Sequence, residues 1–313
     1  MKKRVIGVIA MLLILGFGVG SAWAGGSQEA GKGTIVVGSK IDTEGGLLGE
    51  MMVLLLRARG YNAVDKTELG PTDVVRKAIL SGEIDIYPEY TGNGAFFFHG
   101  IDPTIWKDPA EGYETVKKLD FDKNRIVWLT PAPANNTWAI AVRKDLATAQ
   151  HLSSLEDLAG YINKGGQFKL AASDEFVSRP DVLPAFEKTY GFTLAKSQLL
   201  VLSSGNTAQT EKAAADGTDG VNAAMAYGTD GQLAALGLVV LTDTKEVEPV
   251  YEPTPIVRES IFKKYPEIAT ILDPVFKGLT LETLQQLNAK IAIEGQEARS
   301  VAKAYLTAQG FLK

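Results

Sequence analysis

Two tyrosines three residues apart, Tyr87 and Tyr90, stand in the stretch DIYPEYTGNGAFFF from Asp85 to Phe98, where an apolar run breaks into a turn at Pro88, Gly92 and Gly94. Aromatic faces at a strand-end loop can hold a cation that offers no hydrogen-bond donors, and such a site needs no catalytic machinery. The other chemistry-bearing residues argue against an enzyme. Glu83 and Asp85 alternate and Glu89 follows, so a carboxylate pair for glycoside hydrolysis can be drawn, yet carboxylates flanking a strand are ordinarily solvated edges or caps. His99 and His151 are the only histidines and lie in different segments. There is no cysteine, and no H-E-x-x-H or G-x-S-x-G motif. No metal, cofactor or catalytic nucleophile is therefore expected; Tyr87 is expected in the core or just behind the site, and Phe96 to Phe98 default to core packing.

The first 24 residues read as an address. Lys2, Lys3 and Arg4 precede an apolar run from Val5 to Val19 and then Ala22-Trp23-Ala24, the pattern of a secretory signal cleaved before Gly25. An uncleaved anchor is the rival, but the run is short for a bilayer span. Without cysteine neither a disulfide framework nor a lipid on cysteine is available, so a freely diffusing periplasmic monomer is expected. The chain carries 32 Lys+Arg against 37 Asp+Glu, a net charge of −5, and loss of the three signal cations takes it to −8. Such an acidic chain lacks the basic stripe that a nucleic-acid partner requires.

Positioning the tyrosines falls to an alternation of strands and helices. Thr34 to Gly38 is a short β-branched run, and the leucines and methionines from Leu47 to Leu56 predict an amphipathic helix closing at Gly60. A helix over Val74 to Leu80, a strand over Ile84 to Tyr87, a helix near Tyr113 to Leu119 and a strand over Arg125 to Leu129 follow. After TPAPANN the pattern restarts: strands at Trp138 to Val142, Lys169 to Ala172, Leu199 to Leu202, Asn222 to Tyr227 and Leu238 to Leu241 alternate with helices, the last of these over Gly231 to Leu236. One extended run, Val250 to Val257, precedes a helical tail striped by Leu281, Leu284, Leu287 and Ile291. This is an α/β pattern of two lobes, each a mainly parallel sheet flanked by helices. The boundaries read as a flexible lead at 25–33, lobe I at 34–136 and 247–313, and lobe II at 137–246. Two crossings, near Pro131 to Asn136 and Thr242 to Pro249, imply a hinge pair and a cleft between the lobes.

Long ordered blocks, among them GSKIDTEGGLLGEMM, GEIDIYPEYTGNGAFFF, LTPAPANNTWAIAV, SRPDVLPAFEKTYGF, AMAYGTDGQLAALGLVVL and YEPTPIVRES, carry a resemblance that covers the chain beyond the signal. It closely resembles the substrate-binding proteins of ABC transporters for glycine betaine and related osmoprotectants, and within them the OsmF branch. The resemblance implies the two-lobed type II periplasmic binding fold, a small zwitterionic or cationic osmolyte as ligand and a membrane permease as partner. Carried over by motif, the quaternary-ammonium box is Tyr90, Trp138, Tyr227 and Tyr251 with Asn136, and the carboxylate end is Lys40, Asn93 and Arg179. Trp138 stands where many relatives have Tyr, and Asn136 where some have an acidic residue. The Gly45-Gly46 turn could add amides to an anion site. Alternatives remain: Lys40 as a solvated surface lysine, Arg179 as a partner of Asp181, a receptor for an amino acid or polyamine, or a secreted glycan-active enzyme.

Overall fold

The computed structural model describes residues 32–203 and 205–313. The expected signal, 1–24, and most of the lead lie outside the described residues.

Among the described residues ten strands form two five-stranded sheets: β1 (Thr34–Lys40), β2 (Asn62–Gly70), β3 (Ile86–Tyr90), β4 (Ile126–Trp128), β5 (Trp138–Arg143), β6 (Leu170–Ser173), β7 (Leu199–Leu202), β8 (Ala223–Tyr227), β9 (Leu238–Val240) and β10 (Pro253–Arg258). Their orders are β2-β1-β3-β10-β4 and β7-β6-β8-β5-β9. Each sheet is mixed. β1 runs parallel to β2 and β3, and β6 parallel to β7 and β8, whereas β10 and β5 are antiparallel to both their neighbours. Connectivity gives the reason: the chain leaves β4 and β9 at their carboxyl ends and enters the other sheet from that same side, as β5 and β10. Strand ends of both sheets are thereby gathered where the chain crosses.

β10 sits inside its sheet despite two prolines, which have no N–H to give a neighbour. β4 ends at Trp128, opposite Ile256, so Pro253 and Pro255 face the departing segment. Towards β10 that segment donates: Leu129 N–H reaches the Pro255 carbonyl at 2.9 Å and Ala132 N–H the Pro253 carbonyl at 2.8 Å.

The helix Thr43–Ala58 is buried nearly all round, with Leu47, Leu48, Met51, Met52, Leu55 and Leu56 fully enclosed between the first sheet and the tail helices. Each such side chain stabilises the fold by about 1.5–3 kcal/mol as an upper figure. In the second sheet the period of two separates the faces: Ala139, Ala141, Ala224 and Ala226 meet Ala214 of the helix Thr207–Asp216, while Trp138, Ile140, Val142 and Met225 enter the opposite core.

Some elements differ from expectation, two of them informatively. β2 gave no strand signal because it is a half-exposed edge carrying Asp65, Lys66 and Glu68 in place of an apolar alternation. The stretch 231–236 is a chain of turns and not a helix. Its backbone runs so close to the helix Leu281–Ala292 that a Cβ on Gly231 would lie 1.9 Å from the Gln285 carbonyl oxygen.

Candidate functional site

The four expected aromatics stand at strand ends on the side where the chain crosses. Tyr90 closes β3, Trp138 opens β5, Tyr227 closes β8, and Tyr251 lies two residues before β10. Register fixes two pairs: Trp138 sits opposite Tyr227, and Tyr90 opposite Pro253. The Trp138 and Tyr227 rings meet at 4.7 Å between centroids with a 47° tilt, and Phe176 packs edge-on against Trp138 at 5.5 Å. Tyr90 and Tyr251, although attached to the first sheet, belong to the same buried cluster as Trp138, and the partly buried Tyr227 packs against it. All four border one small cavity of about 20 Å³, together with Asn136, Lys40 and Asn93. That is room for about one water molecule. Seven of the eight expected site residues are thus brought together.

Arg179 stands apart. It borders an adjoining cavity of about 390 Å³, which shares Pro71, Glu175 and Gly205 with the first. Its guanidinium donates to Asp181 at 3.0 and 2.6 Å, to Glu175 at 3.0 Å and to Asn93 Oδ1 at 2.9 Å, and lies 4.2 Å from the Phe96 ring centre. Pairing with Asp181 is therefore real, and Phe96 packs on a cation instead of filling the core. Burial alone would lower the Arg179 pKa, and the surrounding acidic and phenolic groups raise it instead, so it stays charged.

Lys40 is buried, which rules out the solvated lysine. Its ammonium lies 2.7 Å from Glu89 Oε1 and 4.6 Å from the centre of the Tyr90 ring. The same Glu89 oxygen accepts the Tyr90 N–H and Asn93 Nδ2, both at 2.8 Å, while Glu89 Oε2 accepts the Tyr87 hydroxyl at 2.6 Å. Burial would raise the Glu89 pKa, but Lys40 and these donors hold it below its usual value. Tyr87 accordingly supports the site from behind. The Gly45 and Gly46 amides are not free for an anion, because Gly45 N–H donates to the Asp42 carboxylate at 2.8 Å and Gly46 N–H to the Asp42 carbonyl at 3.0 Å.

Three carboxylates at the site carried no sequence signal beyond their type. Asp42 and Glu175 border the small cavity, from the turn after β1 and from the helix Asp174–Ser178. Burial raises the Asp42 pKa, and the nearby charge of Glu175 adds to the rise. Glu44 lies behind the aromatic wall: Oε1 accepts the Tyr90 hydroxyl at 3.2 Å and Asn136 Nδ2 at 2.9 Å, and Oε2 accepts Asn288 Nδ2 at 2.9 Å. Burial pushes its pKa up to about 7. Asp42 and Glu44 occur within the quoted GSKIDTEGGLLGEMM block, and their types invite a cap reading that Asp42 also fulfils. Asn136 additionally donates to the Thr229 hydroxyl at 2.6 Å, tying the crossing segment to the loop after β8.

A wall of aromatic rings backed by carboxylates suits a desolvated cation and supplies no general base beside a nucleophile. Comparison with known proteins bears on the same point. Residues 33–308 match the family described as the substrate binding domain of ABC-type glycine betaine transport system. The glycine betaine-binding protein YehZ of Escherichia coli K12 is 59% identical over 279 residues, covering 89% of this chain and 92% of that protein. The apo structure of YehZ from Escherichia coli superposes with a TM-score of 0.64 over 89% of this chain and 99% of that one. A glycine betaine/carnitine/choline ABC transporter structure, 22% identical, shares the fold at a TM-score of 0.68, over 89% of this chain and 100% of its own. The two mixed sheets with helices on their faces are thus the type II binding fold, and the chain belongs to the family of substrate-binding proteins of ABC-type glycine betaine transport systems.

Proposed function

We propose that this protein is a periplasmic receptor that captures a quaternary-ammonium osmolyte, glycine betaine or a similar compound, and delivers it to the permease of its transporter. The observation that carries this reading is the convergence of Tyr90, Trp138, Tyr227 and Tyr251 on one cavity from four separate strand ends. Ring faces replace the water that a trimethylammonium group loses, at roughly 0.5–2 kcal/mol for each well-placed ring. Asn136 orients the wall through Glu44 and Thr229. Lys40 and Asn93 on the same cavity, with Arg179 on the adjoining one, are the groups this reading assigns to the ligand's tail. The relatives' own names support the solute class.

In this reading 34–136 and 247–313 form one lobe and 137–246 the other, with the secretory signal removed on export. The lobes close on the ligand about the two crossings. A cavity of about 20 Å³ is smaller than any trimethylammonium group, so entry requires the walls to part. The TM-score of 0.64 to an apo structure that is 59% identical is in keeping with two arrangements of the same elements. The test is a titration of intrinsic fluorescence with glycine betaine, proline betaine and choline, read through Trp138. Saturable change with at least one is expected. Saturation only with an amino acid or a polyamine would replace the reading.

A further inference from the structure

Behind Tyr227 lies a pair of carboxyl groups, Glu211 and Asp230, neither of which borders the aromatic cavity. Glu211 is fully buried on the helix Thr207–Asp216, and Asp230 is nearly so in the loop after β8. Asp230 ties its loop back to the strand end: Oδ2 accepts the Tyr227 N–H at 2.6 Å, and its own N–H donates to the Tyr227 carbonyl at 3.1 Å. Oδ1 accepts the Thr207 hydroxyl at 3.0 Å. The turn 227–230 is thereby closed at both ends, and it also carries Thr229, whose hydroxyl receives Asn136. One carboxylate thus fixes the backbone from which the Tyr227 ring projects.

Glu211 supports that carboxylate from the other side. Its Oε2 accepts Gln232 Nε2 at 2.6 Å, while Oε1 is buried with no donor among the described residues. The two carboxyl groups lie within hydrogen-bonding reach of each other. Among the described residues, the other charges facing the pair are acidic too: Asp42 and Glu44 at the start of the helix Thr43–Ala58, and Glu282 of the helix Leu281–Ala292, which borders one cavity with Asp230. Two adjacent buried carboxylates without a cation do not both ionise, so at neutral pH the pair holds one proton. Burial first, and then the charge of Asp230, raises the Glu211 pKa far above its ordinary value. Asp230, which already accepts a backbone N–H and a hydroxyl, is the member better kept as the anion.

We propose that Glu211 is a positioning residue for ligand binding: its acid O–H donates to the Asp230 carboxylate, and Asp230 so held fixes the turn that presents Tyr227 to the ligand. The inference rests on the aromatic-box reading above and adds to it a group that touches neither ligand nor cavity. When the proton leaves, two anions face each other in a low-dielectric interior, and the turn must move to part them. A proton held above its ordinary range in the native protein is lost as pH rises, so the box loosens on the alkaline side.

Isothermal titration of the mature protein with glycine betaine at about pH 7 and about pH 9.5 tests this, since the ligand's own charges do not titrate between them. Wild type is expected to bind about threefold or more weakly at the higher pH. Glu211→Ala should weaken binding about tenfold at both, because Asp230 then lacks a donor. Glu211→Gln offers Asp230 an amide N–H at every pH, so it should keep the binding that Glu211→Ala loses and be free of the alkaline weakening. Infrared spectra at about pH 8 read the proton without ligand: a carboxylic-acid C=O band should lose intensity in Glu211→Gln. One pH profile shared by wild type and Glu211→Gln, or an undiminished band, overturns the proton. Glu211→Gln binding as poorly as Glu211→Ala overturns the acid as donor. Failure of the wild type to bind glycine betaine at either pH takes down the box reading and the positioning role with it, whatever the band shows. The comparison of wild type with Glu211→Gln decides the matter even if Glu211→Ala folds poorly.

Discussion

The Lys40 ammonium rests 4.6 Å from the centre of the Tyr90 ring, so one wall of the aromatic box already faces a cation that belongs to the protein. The Trp138 and Tyr227 rings, which come from adjacent antiparallel strands, pack instead on each other at 4.7 Å.

That placement makes Lys40 a structural charge before it is a ligand group. Glu89 is fully buried, and Lys40 is its cationic partner at 2.7 Å. Lys40→Met keeps the alkyl stem and removes the charge, leaving Glu89 an uncompensated buried carboxylate at a cost of about 3–5 kcal/mol. Urea denaturation of Lys40→Met, Glu89→Gln and the double variant measures this. The double variant is expected to recover a large part of the loss. Strictly additive losses would show that the pair does not interact.

Tyr227→Ala removes a ring that both faces the cavity and stacks on Trp138. Binding of the quaternary-ammonium ligand should weaken by about 1–2 kcal/mol, and Tyr227→Phe should be milder because the π face is kept. Calorimetry that finds Tyr227→Ala equal to wild type would remove the Trp138–Tyr227 wall from the site.

Glu44 makes the fold sensitive to pH in a defined direction. Burial raises its pKa from 4.5 to about 7 in the folded state. Between those values the folded protein holds a proton that the unfolded chain has released, so stability falls as pH rises through this window. The full contribution is on the order of 3 kcal/mol. Asp230, raised to about 6 by burial, adds a slope of the same sign. Comparing wild type with Glu44→Gln at about pH 5 and pH 8 isolates the Glu44 share, since Asp230 is common to both. Identical slopes in the two proteins would assign Glu44 no part in the pH response.

Closure has its own signature. Saturating ligand should reduce the radius of gyration in small-angle scattering and shift Trp138 emission, because Trp138 opens β5 directly after the first crossing and also borders the cavity. An unchanged scattering curve, with binding shown in the same sample, would leave a static pocket as the better account.

The sequence by itself determined most of the elements and the placing of four aromatics at strand ends. Apolar runs such as Thr34 to Gly38 and Trp138 to Val142 specify strands because alternate side chains must find a core on each face, and the Leu/Met stripe from Leu47 to Leu56 specifies the central helix. Tyr90, Trp138, Tyr227 and Tyr251 were legible because they sit in long motifs at strand ends, where position along the chain dictates position in space. β2 was not legible, because an edge strand beside β1 is held by backbone pairing and needs no apolar alternation. Tertiary structure alone decided the charges. Whether Lys40 and Arg179 meet solvent, a ligand or Glu89, Glu175 and Asp181 depends on which distant segments pack beside them, and a carboxylate's role changes with its burial and its neighbours. Asp42 and Glu44 show the same rule: one caps a helix and lines the cavity, the other holds the aromatic wall from behind, and their residue type was the same signal for both.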